Sequence, residues 1–166
     1  MTRRAAALFS AFCLAITAAS AWPAHAGFDE GMAYYQKGDY FRALSELKPE
    51  AEAGNVLAQV QVAGIYHYGL VSAANFAEAL KWYGKAAAQG NADAMLGLGV
   101  MYSLGQGVEK DQVESFKWLT LAASRLPQGP DRNRVMSALD TMKEQMSDAD
   151  VARAQTLARD WTPGEP

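Results

Sequence analysis

Ser45 and Lys48 stand in the spacing Ser-x-x-Lys, which puts a hydroxyl one helical turn from an amine able to take its proton. Penicillin-binding enzymes and β-lactamases use that pair together with Ser-Asp-Asn and Lys-Thr-Gly motifs, and this chain has neither. Gly-x-Ser-x-Gly is absent as well. A four-residue match arises easily on an ordinary surface helix, so solvent-facing polarity explains it as well. The histidines are His25 and His67, and Cys13 is the only cysteine. Cys13 and His25 fall in a segment expected to be removed, which leaves too few ligands for a Cys-His pair or a zinc site. Gly97-x-Gly99 and Gly105-x-Gly107 could cradle a phosphate, but neither follows a strand or completes a phosphate-binding motif. Close helix approach at Gly99 and loop geometry at Gly105 and Gly107 account for them. The expectation is a protein with no catalytic residue, no metal and no cofactor.

The residues that recur do so for structural reasons. Ala43, Leu44, Ala51, Gly54, Asn55, Ala58, Tyr66 and Gly69 return 36 positions later as Ala79, Leu80, Ala87, Gly90, Asn91, Ala94, Tyr102 and Gly105. Glu78, Lys81, Trp82 and Ala86 return at the same interval as Glu114, Lys117, Trp118 and Ala122. A fixed period of this size signals a repeat array. Within each unit the apolar residues fall at helical spacing, so every unit reads as a helical hairpin, with Gly54-Asn55 and Gly90-Asn91 as tight turns and longer connections after Gly69 and Gly105. Asp39, Asn75 and Asp111 share one register, and each residue type can accept orphan amide protons at a helix start. Pro49 falls inside a predicted helix and predicts a local bend.

The run Ala94-x3-Leu98-Gly99-x2-Tyr102-x2-Gly105-x-Gly107-Val108-x2-Asp111, followed by Trp118-x3-Ala122-Ala123, resembles the Sel-one-like repeat (SLR) family, relatives of the tetratricopeptide repeats. The likeness covers residues 39–125 closely and is weaker on either side. It implies an all-α fold, a right-handed α-solenoid of about four antiparallel helix pairs whose last pair is a C-terminal cap, used for protein binding. Some cysteine-rich SLR relatives are linked to β-lactams, but the matching cysteines are missing here. The family register places Met32 and Tyr35, then Val60, Gly64 and His67, then Leu96, Val100 and Ser103 along the concave face. Residues 56–66 are apolar on nearly every side, so they either line a sticky groove or pack against neighbouring helices.

Arg3 and Arg4, an apolar run from Ala5 to Ala19, and the small-x-small Ala24-His25-Ala26 read as a signal peptide cleaved before Gly27, and hence as a periplasmic or secreted protein. The run is too short for a spanning helix, so no membrane insertion is expected after cleavage. Loss of the two arginines moves the net charge from −3 to −5. An acidic chain with no basic cluster excludes the usual nucleic-acid binders. The expected partner is a protein or peptide, with the chain monomeric or weakly oligomeric; the alternatives are a β-lactam or cell-wall-active hydrolase and a self-assembling structural module.

The domain plan is then a signal peptide over 1–26, one repeat domain over 27–161 and a tail over 162–166. Units fall at about 28–54, 55–90 and 91–126, with closing helices over 131–161. In the first closing helix Val135, Leu139, Met142 and Met146 form an apolar stripe. Ser147-x-x-Asp150 then resembles a capping box that opens the last helix.

Overall fold

The computed structural model describes residues 26–164. Apart from Ala26, the expected signal peptide lies outside the described residues, as do residues 165 and 166. Among the described residues the chain forms eight α-helices and no strands. They are α1 (Ala26–Gln36), α2 (Tyr40–Glu52), α3 (Val56–Tyr68), α4 (Phe76–Ala88), α5 (Ala92–Leu104), α6 (Gln112–Arg125), α7 (Pro130–Gln145) and α8 (Asp148–Asp160).

The recurrent polar residues do start helices. Asp39 accepts the Arg42 amide at 3.2 Å, Asn75 the Glu78 amide at 3.1 Å, and Asp111 the Val113 and Glu114 amides at 2.8 and 3.0 Å. Asn55 and Asn91 do the same for α3 and α5. Each cap satisfies first-turn amides that have no partner within the helix. At the other end, Gly69 and Gly105 take the left-handed conformation, φ 63° and 70°, and their amides return to the last turns of α3 and α5. Ser147 caps α8: its Oγ accepts the Asp150 amide at 3.1 Å and donates to the Asp150 carboxylate at 2.8 Å. Pro49 sits in the last turn of α2, and the helix continues past it to Glu52.

The pairing of helices corrects one expectation. Reading the Gly-Asn turns as the hairpin bends and the longer connections as spacers between hairpins reverses the actual order. The more extensive antiparallel packing is between α3 and α4 and between α5 and α6, across the longer loops. A short, abrupt turn brings helix ends together, whereas the longer loop lets two helices lie along their whole lengths. Asn75 N to Tyr66 O (2.9 Å) and Asp111 N to Tyr102 O (3.1 Å) pin each loop back onto its helix.

The core explains the period. Ala43 and Ala79, Ala51 and Ala87, and Ala58 and Ala94 are all at most 1% exposed, because helix axes that pass this closely admit only small side chains. Gly31 and Gly99 allow the closest approaches between helices: a Cβ there would stand 2.6 Å from Leu47 Cγ and 2.7 Å from Leu119 Cγ. Gln59 is buried yet fully bonded, donating to Ala51 O at 3.0 Å and accepting from Gln89 at 2.9 Å, so it ties α2 and α4 to α3. The α6 helix is a seam. Trp118, Leu121 and Ala122 join the main core, while Phe116, Leu119 and Ala123 form a second one with Val135 and Leu139 of α7 and Ala154 of α8. The closing helices therefore share α6 as their common support.

Candidate protein-interaction site

The eight residues assigned to the concave face divide into two groups. Leu96, Val100 and Ser103 of α5 line an open groove of about 540 Å³. Its floor includes Leu119 of α6 and Val135 and Met142 of α7, with Gln112, Asp131 and Arg134 at its edges. Leu119 and Val135 are buried and the three α5 residues half-buried, so the groove is apolar below and accessible above. The Ser103 hydroxyl donates to Val100 O at 2.8 Å and does not crowd the space.

The preceding repeat fills the same place with its own side chains. Counting back 36 residues from Leu96, Val100, Ser103, Gln112 and Leu119 gives Val60, Gly64, His67, Phe76 and Tyr83. The His67 ring is 5.9 Å from those of both Phe76 and Tyr83 and stacks on Tyr68 at 4.8 Å. Its Nε2 meets Gln106 Oε1 at 2.8 Å, which joins α3 to the loop after α5. With His67 8% exposed and Gly64 buried, neither offers a ligand a surface. Val60, Met32 and Tyr35 are half-buried and pack against the core. For α3 the packing reading therefore prevails over the groove reading, although Leu57 and Tyr68 remain 55% and 69% exposed.

Tyr83 decides this difference. It reaches from α4 across α5, where a Cβ on Gly97 would stand 2.8 Å from its ring, and toward Gly64, where a Cβ would stand 3.9 Å from its hydroxyl. Burial pushes the Tyr83 phenol well up from its ordinary range, and neighbouring Tyr68, Tyr35 and Asp93 push the same way. It stays neutral. One repeat later, Leu119 is shorter and leaves the groove open. The sequence already shows the difference between Tyr83 and Leu119, but its meaning depends on α7, which supplies the far wall.

Ser45 and Lys48 are both exposed on α2, and no hydrogen bond joins them. Among the described residues no cluster of three or more His, Cys, Asp or Glu side chains is placed to hold a metal. No described helix is long and apolar enough to cross a membrane.

Antiparallel helix pairs stacked in one direction define this chain as an α-solenoid. Residues 56–91 and 92–125 each match the Sel1 repeat, one helix pair per match, so the chain carries two Sel1 repeats. The fold is that of a protective antigen present in uropathogenic Escherichia coli strains, whose crystal structure displays an SLR fold: TM-score 0.73, 24% identity, covering 82% of this chain and 29% of that one. A Sel1 repeat protein from Oxalobacter formigenes is similar at TM-score 0.62 and 29% identity, covering 79% of this chain and 54% of its own. The chain thus spans under a third of the first and about half of the second. No curated protein sequence matches it. Sel1 repeats build protein-interaction modules and are generally non-catalytic.

Proposed function

We propose that this protein is an exported, non-catalytic adaptor that holds an apolar helix or extended segment of a protein partner in the groove between α5 and α7. The observation that carries this reading is the 540 Å³ groove, left open where the preceding repeat is packed with His67, Phe76 and Tyr83. Partner helices and strands dock through a few apolar anchors in such grooves, and the apolar floor here suits them. The acidic balance of the chain supports a protein partner over nucleic acid.

Val100→Glu should abolish capture of the partner from the native envelope while leaving helix content by circular dichroism unchanged. A carboxylate forced into a site from which the partner excludes water loses its hydration, and the cation in the groove lining, Arg134, is already paired with Asp131 at 3.0 Å. Val60→Glu should instead lower stability, because Val60 packs on the core, and Lys143→Glu, outside the lining of the groove, should change neither. Capture by Val100→Glu equal to wild type would end the groove hypothesis.

Export rests on Arg3, Arg4, the apolar run 5–19 and Ala24-His25-Ala26. Intact-mass measurement on protein from the periplasm or medium should give a chain beginning at Gly27. A mass retaining residues 1–26 would reject cleavage.

A further inference from the structure

A different stripe of α7 carries a second pocket. Arg132, Met136, Leu139 and Lys143 fall at i, i+4, i+7 and i+11, and with Phe116 and Thr120 of α6 they line a space of about 260 Å³. It shares no residue with the groove between α5 and α7.

The two cations of this pocket differ. Lys143 Nζ is held by Asp140 Oδ1 at 3.1 Å. Arg132 is half-buried and joins no ion pair with a described residue. The acid beside it in sequence, Asp131, is taken by Arg134 at 3.0 Å, and no carboxylate lines the pocket. A guanidinium drawn partly out of water without a counter-ion has lost hydration with nothing in exchange, and its planar fork matches a carboxylate. A second polar group nearby is also unmatched: Thr120 Oγ1 is buried and has no hydrogen-bond partner among the described residues. The chain as a whole is acidic, so an unpaired cation here is not the general character of its surface.

The remainder of the lining is apolar. Phe116 and Leu139 are buried, and Met136 stands 42% exposed above them. Arg132 and Lys143 lie three turns apart on α7, about 16 Å along its axis, so a single anion does not bridge them. A ligand that meets Arg132 lays the rest of itself over Met136 and Leu139.

We propose that this pocket binds an amphiphilic carboxylate. The carboxylate pairs with Arg132 and accepts from the Thr120 hydroxyl, and an apolar tail of about two helical turns, roughly 10 Å, lies over Met136, Leu139 and Phe116. A free medium-chain acid and an acidic residue followed by apolar ones in a peptide both present this chemistry.

Octanoate titrated into the ¹⁵N-labelled protein tests the assignment through amide shifts. The amides of residues 116–124 and 132–143 should move and saturate, with half-saturation at about 1 mM. Arg132→Gln should weaken octanoate about tenfold or more, while Lys143→Gln, which removes a cation already paired, leaves it within about twofold. Circular dichroism checks that both variants keep the fold. Octanamide and acetate should each bind the unaltered protein at least about tenfold more weakly than octanoate, since one lacks the charge and the other the tail. That comparison stands whether or not Arg132→Gln folds. No saturation up to about 10 mM, octanamide or acetate equal to octanoate, octanoate equal on wild type and Arg132→Gln, or shifts centred on Leu96 and Val100 would each overturn the proposal. Tighter binding of the peptide acetyl-Glu-Leu-Leu-amide than of octanoate would assign the carboxylate to a protein segment, and the reverse order to a free acid; both sustain the site.

Discussion

Trp82→Ala is expected to lower the unfolding free energy by about 3–5 kcal/mol, the usual cost of emptying a buried tryptophan site. Trp82 is 1% exposed at the centre of α4, and its Nε1 donates to Glu78 Oε2 at 3.1 Å. The same carboxylate holds Lys81 through its other oxygen at 3.3 Å, and the Lys85 ammonium stands 4.5 Å over the ring. The substitution opens a cavity and strands Glu78 without its indole partner. Against a total stability of roughly 5–15 kcal/mol this is a large share, so chemical denaturation should show a clearly lower midpoint. Trp118 is an internal control in the same register. There Glu114 Oε2 is taken by Lys117 at 3.0 Å, and the buried Trp118 Nε1 finds no acceptor among the described residues. Trp118→Phe should therefore cost less than Trp82→Phe, since it removes a donor that is already unmet. Equal costs would mean that the Glu78 bond contributes nothing.

Gly69→Ala should cost about 2–4 kcal/mol, from left-handed backbone strain of about 1–2 kcal/mol and a collision of similar size. Gly69 has φ 63°, and a Cβ there would stand 2.7 Å from Ser72 O and 2.8 Å from Ala74 N. Both are backbone atoms, so no rotamer change relieves them. Its repeat partner Gly105 has nearly the same φ, 70°, but a Cβ would meet nothing nearer than Lys110 at 3.4 Å. Gly105→Ala should therefore show the strain alone. Thermal melts of the two variants separate strain from collision, and equal losses would show that the loop after α3 yields freely.

The period was legible because helix packing repeats the same demand: Ala43 and Ala79 must be small, and Asp39, Asn75 and Asp111 must accept amide protons. The closing helices were legible through the Val135, Leu139, Met142 stripe and Ser147. Loop length misled about which helices pair most closely, since it is a poor guide to how far two helices lie side by side, whereas the unit bounds 55–90 and 91–126 already put α3 with α4 and α5 with α6. The register could not tell an open groove from a filled one. It put His67 and Ser103 in equivalent places, and the bulk of His67, Phe76 and Tyr83 against that of Ser103, Gln112 and Leu119 separates them. The groove also needs Val135 and Met142, which lie outside the 36-residue period.

The bond from Gly164 N to Ala88 O joins positions 76 residues apart. A stack whose layers touch only their neighbours unfolds like a zipper, fraying inward from whichever end is weaker. This clasp changes the last two layers: α5 to α8 cannot peel off singly while Trp161 holds α6 and Gly164 holds α4. Amide exchange across that half then proceeds by one concerted opening, and the chain must close a long loop before the clasp rewards it, which slows the final step of folding.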